Sequence, residues 1–234
     1  MTDRELLRLH VEACWALTLP PLGESSRDLV LTDSTDATAD RPPWSLYLGA
    51  FANTEVAIWR AGIAPDQRRH LLERAHQAGA VWEPALEMRR EVVFAAPGLT
   101  PPREEQARHV ARVLTADDAE RIEAFEAGSA AYFLNPHMAP CVGVVVDGQV
   151  VSIAHSSRQT TAACELGINT LPEARRQGYA TAATTLWTAL VQRRGLMPIY
   201  SAFAWNTASL NLAQVVGYTP RITGAYGPVP ERDE

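Results

Sequence analysis

From residue 180 onward, apolar residues recur every three or four positions: Ala180, Ala183, Trp187, Leu190 and Val191. That spacing predicts an amphipathic helix with one buried face, ending at Gly195. A second helical pattern covers residues 4–17 (Leu6, Leu7, Leu9, Val11, Ala13, Cys14, Leu17) and stops at Pro20. A third runs from Asp66 to His76, with Pro65 at its head and Gly79 beyond its end. Thr115 and Asp118 form a capping-box-like start to a helix over 116–127, and Asn206–Val216 reads as a last helix before Gly217.

Between these lie β-rich runs. Trp44–Phe51, Val56–Trp59, Glu87–Ala95, Val110–Leu114, Glu165–Thr170 and 197–204 read as strands. Cys141–Val146 and Gln149–His155 are joined by Asp147-Gly148, the dipeptide preferred in a type I′ hairpin turn. Residues 33–43 read as a loop and Pro97–Pro102 as a linker. The alternation implies an α/β (α+β) chain with two domains, 1–105 and 106–234.

Composition narrows the function. The chain has 234 residues, 47% of them apolar, which supports a sizeable core. No apolar run reaches the ~18–20 residues that span a membrane. The N-terminus lacks a signal-peptide layout, so a cytoplasmic protein is expected. A net charge of −6 argues against a general nucleic-acid binder. All 21 basic residues are arginine, so no lysine is present to form a Schiff base. The three cysteines, Cys14, Cys141 and Cys164, match no metal or redox spacing and read as small buried residues. No metal site is expected.

The chemistry concentrates where the strand Glu165–Thr170 passes into Arg175-Arg176-Gln177-Gly178-Tyr179-Ala180 and then a helix. A helix start leaves backbone N–H groups without intrahelical partners, at the positive end of the helix dipole. Such a turn suits a phosphate or pyrophosphate. Gly178 lets the backbone approach the anion, and Arg175, Arg176 and Gln177 add donors.

Arg175-x-x-Gly178-x-Ala180 resembles the Q/R-x-x-G-x-G/A signature of the GNAT acetyltransferase superfamily. Thr170-x-Pro172 upstream fits the same pattern, as do Asn206, Ser209 and Gly217-Tyr218 downstream. The resemblance covers about residues 108–226. It implies a GNAT fold with two splayed parallel strands, here 164–170 and 197–204, that admit a pantetheine arm. It implies acetyl-CoA (or another acyl-CoA) as co-substrate. Ile168, Asn169 and Thr170 would hold the thioester. Arg175, Arg176, Gln177, Gly178, Tyr179, Ala180 and Thr181 would cradle the pyrophosphate, and Asn206 and Ser209 would meet the cofactor from the other side.

The implied reaction is direct attack of an amine on the thioester. Glu165 is the candidate base and His155 the second candidate. Where many GNAT enzymes carry a tyrosine as acid to the leaving thiolate, this chain has Ala213. Tyr179, Tyr218, Tyr226 or water remain as substitutes. Asn206 also reads as a plain helix N-cap. Two alternatives stand beside a small-molecule N-acyltransferase: an enzyme loaded by acyl-phosphopantetheine on a carrier protein, and a non-catalytic acyl-CoA sensor. Residues 1–105 read as an accessory domain or a degenerate second GNAT-like half, with Trp44, Tyr47, Trp59 and Trp82 as pocket or core residues. A homodimer stays open.

Overall fold

The computed structural model describes residues 1–31, 42–81, 83, 85–98 and 100–228. Trp82 and most of the expected 33–43 loop lie outside the described residues. The chain packs as two compact units. The first holds residues 1–94, 201–210 and the segment from Pro220; the second holds residues 95–200 and 211–219.

In the first unit, helices α1 (Asp3–Trp15) and α2 (Pro65–Gln77) accompany strands β1 (Asp28–Val30), β2 (Leu46–Phe51), β3 (Thr54–Trp59), β4 (Arg89–Ala95) and β10 (Thr219–Gly227). Strand order is β1-β3-β2-β10-β4. β2 and β3 form an antiparallel hairpin, and β10 runs antiparallel to β2. Leu71 and Ala75 of α2 pack on Leu46, Leu48, Ala57 and Trp59. α1 buries a polar pair: His10 Nε2 lies 2.7 Å from Glu91 Oε1, which also accepts the Tyr47 hydroxyl at 2.8 Å. Trp44, Tyr47 and Trp59 are fully buried, which makes them core and rules out the pocket role. Trp59 donates its indole N–H to Asp28 at 2.9 Å.

The second unit contains α3 (Pro101–Arg108), β5 (Ala111–Val113), α4 (Ala119–Phe125), α5 (Ala130–Phe133), β6 (Val142–Val146), β7 (Gln149–Gln159), β8 (Ala163–Thr170), α6 (Tyr179–Arg193) and the start of β9 (Met197–Phe203). Strand order is β9-β8-β7-β6-β5. The expected linker at Pro97–Pro102 is helical only at its end, where Pro101 and Pro102 begin α3. Its two prolines occupy first-turn positions, where a missing N–H costs nothing. The expected helix over 116–127 begins as a 3-10 turn, Ala116–Asp118, before α4. Asp147 and Gly148 both have positive φ, 48° and 81°, as a type I′ hairpin requires. Trp187 of α6 is core, and its indole N–H donates to Ser156 at 3.3 Å. Beneath α4 and α5, Leu114, Ile122, Phe133, Cys141, Val150 and Ile153 form the other core.

Among the described residues no helix is long and apolar enough to cross a membrane. Cys141 and Cys164 are buried free thiols, and burial pushes Cys141 up to about 12. Cys14 is half-buried and lies 3.4 Å from His10 Nδ1.

Candidate active site

β8 pairs with β9 in parallel at only three positions: Ala163 with Met197, Cys164 with Pro198 and Glu165 with Ile199. Beyond Glu165, the remaining residues of β8 have no ladder partner on that side among the described residues. A strand edge without a partner presents backbone N–H and C=O groups that an extended ligand can take up. Ile168, Asn169 and Thr170 lie on that unpaired stretch.

On its other side β8 runs antiparallel to β7, with one extra residue, Ser157, bulged between Ser156 and Arg158. Asn169 faces Ile153, and Ser152, facing Thr170, hydrogen-bonds its hydroxyl at 2.8 Å. The strand end is therefore held rigidly by β7, leaving the opposite edge open.

After Thr170 the chain makes a 3-10 turn, Pro172–Ala174, and then the turn that starts α6. Arg176 has φ 64° and Gly178 φ 82°, so the backbone enters the left-handed region twice within three residues. For Gly178 this conformation is free of the Cβ penalty. A Cβ built on Gly178 meets nothing within 4 Å, so the space above its Cα is open. The Ala182 N–H reaches back to the Gly178 carbonyl at 3.0 Å, which starts the helix. The N–H groups just inside it are those that an α-helix leaves without internal partners. No acidic residue stands in the first turn of α6 to compete with an anion there. Arg175, Arg176, Gln177 and Gly178 are all exposed, and Arg175 Nε leans on the Thr170 carbonyl at 3.4 Å. Tyr179, Ala180 and Thr181 are half-buried at the head of the helix. A diphosphate fits this set of donors.

Glu165 and His155 fall on one face of the β7–β8 pair. His155 is opposite Gly167, and Glu165 is two residues from Gly167 on the same strand, ~7 Å along it. Glu165 is buried, and Arg158 reaches its Oε2 at 2.8 Å. His155 is buried too; its Nε2 lies 3.2 Å from the Tyr132 hydroxyl, and its ring meets Phe133 edge-on at 4.9 Å. Burial holds its pKa down, to about 4, with the Gly167 backbone opposing weakly. His155 Nδ1 is buried without a hydrogen-bond partner among the described residues. The imidazole is neutral at pH 7 and keeps a lone pair able to accept a proton.

Tyr132 escaped the sequence reading. It sits on a four-residue helix with no periodicity, and only the fold carries it to His155. Arg158 was missed for a similar reason: its strand runs past His155 to Gln159 only because β8 pairs with it.

Asn206 and Ser209 belong to the first unit, and the Gly178 turn and the Glu165–His155 pair to the second. There Asn206 Oδ1 accepts the Ser209 N–H at 3.1 Å, a helix N-cap on α7 (Thr207–Val216). Ala213 is fully buried. Tyr218 is buried with its hydroxyl 2.7 Å from Thr188, and burial raises its pKa well above the usual phenol range. That makes it a poor proton donor at neutral pH. Tyr226 is also buried, stacked on Tyr47.

Residues 129–224 match the family model described as GNAT acetyltransferase. That match covers most of the chain's second half. No curated protein matches the chain. Among solved structures, a GNAT-family protein from Novosphingobium aromaticivorans is 20% identical, with a TM-score of 0.46 over 59% of this chain and 63% of its own. A GCN5-related N-acetyltransferase-like protein from Streptococcus suis is 18% identical, with a TM-score of 0.43 over 60% of this chain and 63% of its own. A GNAT-family acetyltransferase from Colwellia psychrerythraea is 16% identical, with a TM-score of 0.45 over 59% and 56%. The chain spans less than two thirds of the length of each.

Proposed function

We propose that this protein transfers an acyl group, acetyl in the simplest case, from a coenzyme A thioester to the amine of a small molecule. Residues 106–234 supply the catalytic segment and residues 1–105 an accessory one. The observation that carries this reading is the Gly178 turn. Its left-handed glycine has open space above it and stands at the head of a fifteen-residue helix with no acid in its first turn. A diphosphate there places a pantetheine arm within reach of the unpaired edge of β8.

The chemistry then needs an oxyanion donor, a proton acceptor and a route for the leaving thiol. Backbone N–H groups of residues 168–170 are suited to the developing oxyanion. The amine nitrogen attacks the thioester carbonyl, the C–N bond forms, the C–S bond breaks, and the coenzyme leaves as a thiol. Glu165, which accepts an Arg158 N–H on its Oε2, takes the ammonium proton through water. His155, neutral and steadied by Tyr132, lines the same face as a second, weaker acceptor. Ala213 has no proton to give and Tyr218 is a poor donor, which leaves Tyr179 or water to protonate the thiolate.

Isothermal titration with acetyl-CoA and desulfo-CoA tests this. The wild-type chain is expected to bind both at micromolar Kd, a common range for co-substrates. Gly178→Trp is expected to abolish binding while the chain stays folded. A folded wild-type chain that binds no coenzyme A species would remove free coenzyme A as donor and turn attention to acyl-loaded carrier proteins.

A further inference from the structure

In the first unit a thiol, an imidazole and a carboxylate meet at a place that the proposed acyl transfer does not use. His10 and Cys14 stand four residues apart on α1, so they share one face of the helix. Cys14 Sγ lies 3.4 Å from His10 Nδ1 and 3.9 Å from Nε2, alongside the ring. His10 Nε2 lies 2.7 Å from Glu91 Oε1 on β4, and the Tyr47 hydroxyl on β2 donates to the same oxygen at 2.8 Å. A carboxylate only accepts, so Nε2 carries a proton, and Nδ1, the nitrogen nearer the thiol, has the lone pair that takes another.

His10 is fully buried and Glu91 nearly so, whereas Cys14 is half-buried. The Trp15 and Tyr47 rings pack against the imidazole, with centroids 5.7 and 6.0 Å away, and hold it between acid and thiol. Glu12, the other buried acid of α1, is engaged by Arg8 and by the Leu19 N–H. A carboxylate beside an imidazole favours the imidazolium, and an imidazolium within about 4 Å of a thiol favours the thiolate. A nucleophile beside a base, with the base oriented by a third group, is the arrangement that activates a cysteine.

We propose that Cys14 is a reactive thiol that takes up one half of a low-molecular-weight disulfide, with His10 as its base and Glu91 as the residue that positions and charges His10. The Cys14 proton passes to His10, and the sulfur attacks one sulfur of the disulfide. A new S–S bond forms at Cys14 as the old one breaks. The departing half leaves as a thiolate and takes the proton from His10, so one thiol is consumed and one released. The inference stands apart from acyl transfer, because no residue it uses belongs to the Gly178 turn or the Glu165–His155 face.

The test mixes the full chain with 2,2′-dithiodipyridine at pH 7 and follows the released thiopyridine by absorbance, with peptide mapping to place the adduct. Cys14 is expected to react about tenfold faster than a cysteine in an unstructured peptide, which is only a few per cent ionised at that pH. Cys14→Ser is expected to remove the fast phase and leave the slow one of Cys141 and Cys164, whose pKa values burial raises, that of Cys141 to about 12. Glu91→Gln keeps an acceptor for His10 but removes the charge, and is expected to slow Cys14 about tenfold; His10→Gln is expected to slow it as much. A substitution that merely loosened the fold would expose the thiol and speed the reaction, so the direction of the change separates activation from structure. A wild-type Cys14 no faster than the peptide would overturn the proposal whatever the variants do. A Glu91→Gln rate equal to or above wild type would also overturn it, as would a fast adduct on Cys141 or Cys164. Coenzyme A takes no part in this experiment, so failure here leaves the acetyl-CoA titration untouched.

Discussion

His155 and Gly167 face each other across β7 and β8, and the imidazole lies where a side chain at 167 would go: a Cβ built there comes within 2.2 Å of His155 Cε1 and 2.6 Å of Nε2. The ring is then enclosed by Tyr132 and Phe133 from the other side. Gly167→Ala is therefore expected to force His155 off its rotamer and to destabilise the fold by about 1–3 kcal/mol. Denaturant unfolding reads the loss. An alanine tolerated with unchanged stability would mean that the histidine moves freely, contrary to its enclosure.

The same enclosure gives a pH dependence. Burial lowers the folded pKa of His155 to about 4, below the unfolded 6.5. The unfolded chain thus binds more protons between those values. Stability from this residue is complete above pH 6.5 and is lost as pH falls toward about 4. The full effect is roughly 3 kcal/mol. His155→Gln is expected to flatten that part of the stability–pH curve, measured by denaturant midpoints between pH 4 and 7. A wild-type curve already flat across the window would contradict the buried neutral imidazole.

Glu165 separates an enzyme from a sensor. If it accepts the amine's proton, Glu165→Gln lowers kcat by about a hundredfold or more while acetyl-CoA affinity stays as it was. Steady-state kinetics beside calorimetry measure both. Loss of affinity together with rate would make Glu165 and its Arg158 partner structural only.

Asp118 anchors the start of α4. Both its oxygens meet Arg112, at 2.6 and 2.7 Å, and it also accepts the Thr115 N–H and an Arg121 N–H, each at 3.1 Å. Arg112 first, then the Thr115 amide, lower its pKa from 3.8 to about 2 against the opposing effect of burial. Its contribution is present above pH 3.8 and is lost as pH falls through about 2. Because the arginines are half exposed, Asp118→Asn is expected to cost about 1–2 kcal/mol at pH 7, and much less at pH 2. Thermal melts at the two pH values decide it. An equal cost at both would show that shape alone matters here.

Much of this was legible in the chain because it is local. The period of Ala180, Ala183 and Trp187 makes α6, and Asp147-Gly148 makes the β6–β7 turn. Gly178 marks the one position before α6 where a left-handed backbone costs least. These depend on φ/ψ preferences and on repeats of two or 3.6 residues, which neighbouring residues set among themselves. β10 was not legible: Thr219–Gly227 has two glycines and a proline, and becomes a strand through pairing with β2, more than 160 residues earlier in the chain.

The sequence by itself determined helices α1, α2, α4, α6 and α7, the hairpin, the anion-ready turn and the GNAT resemblance, all products of short-range sterics and periodicity. Tertiary structure alone decided that Tyr132 rests on His155, that Arg158 holds Glu165, and that β10 pairs with β2. Those relations depend on which surfaces are buried together. Burial is a property of the whole folded path, and residues far apart in the chain carry no local mark of the partners they will meet.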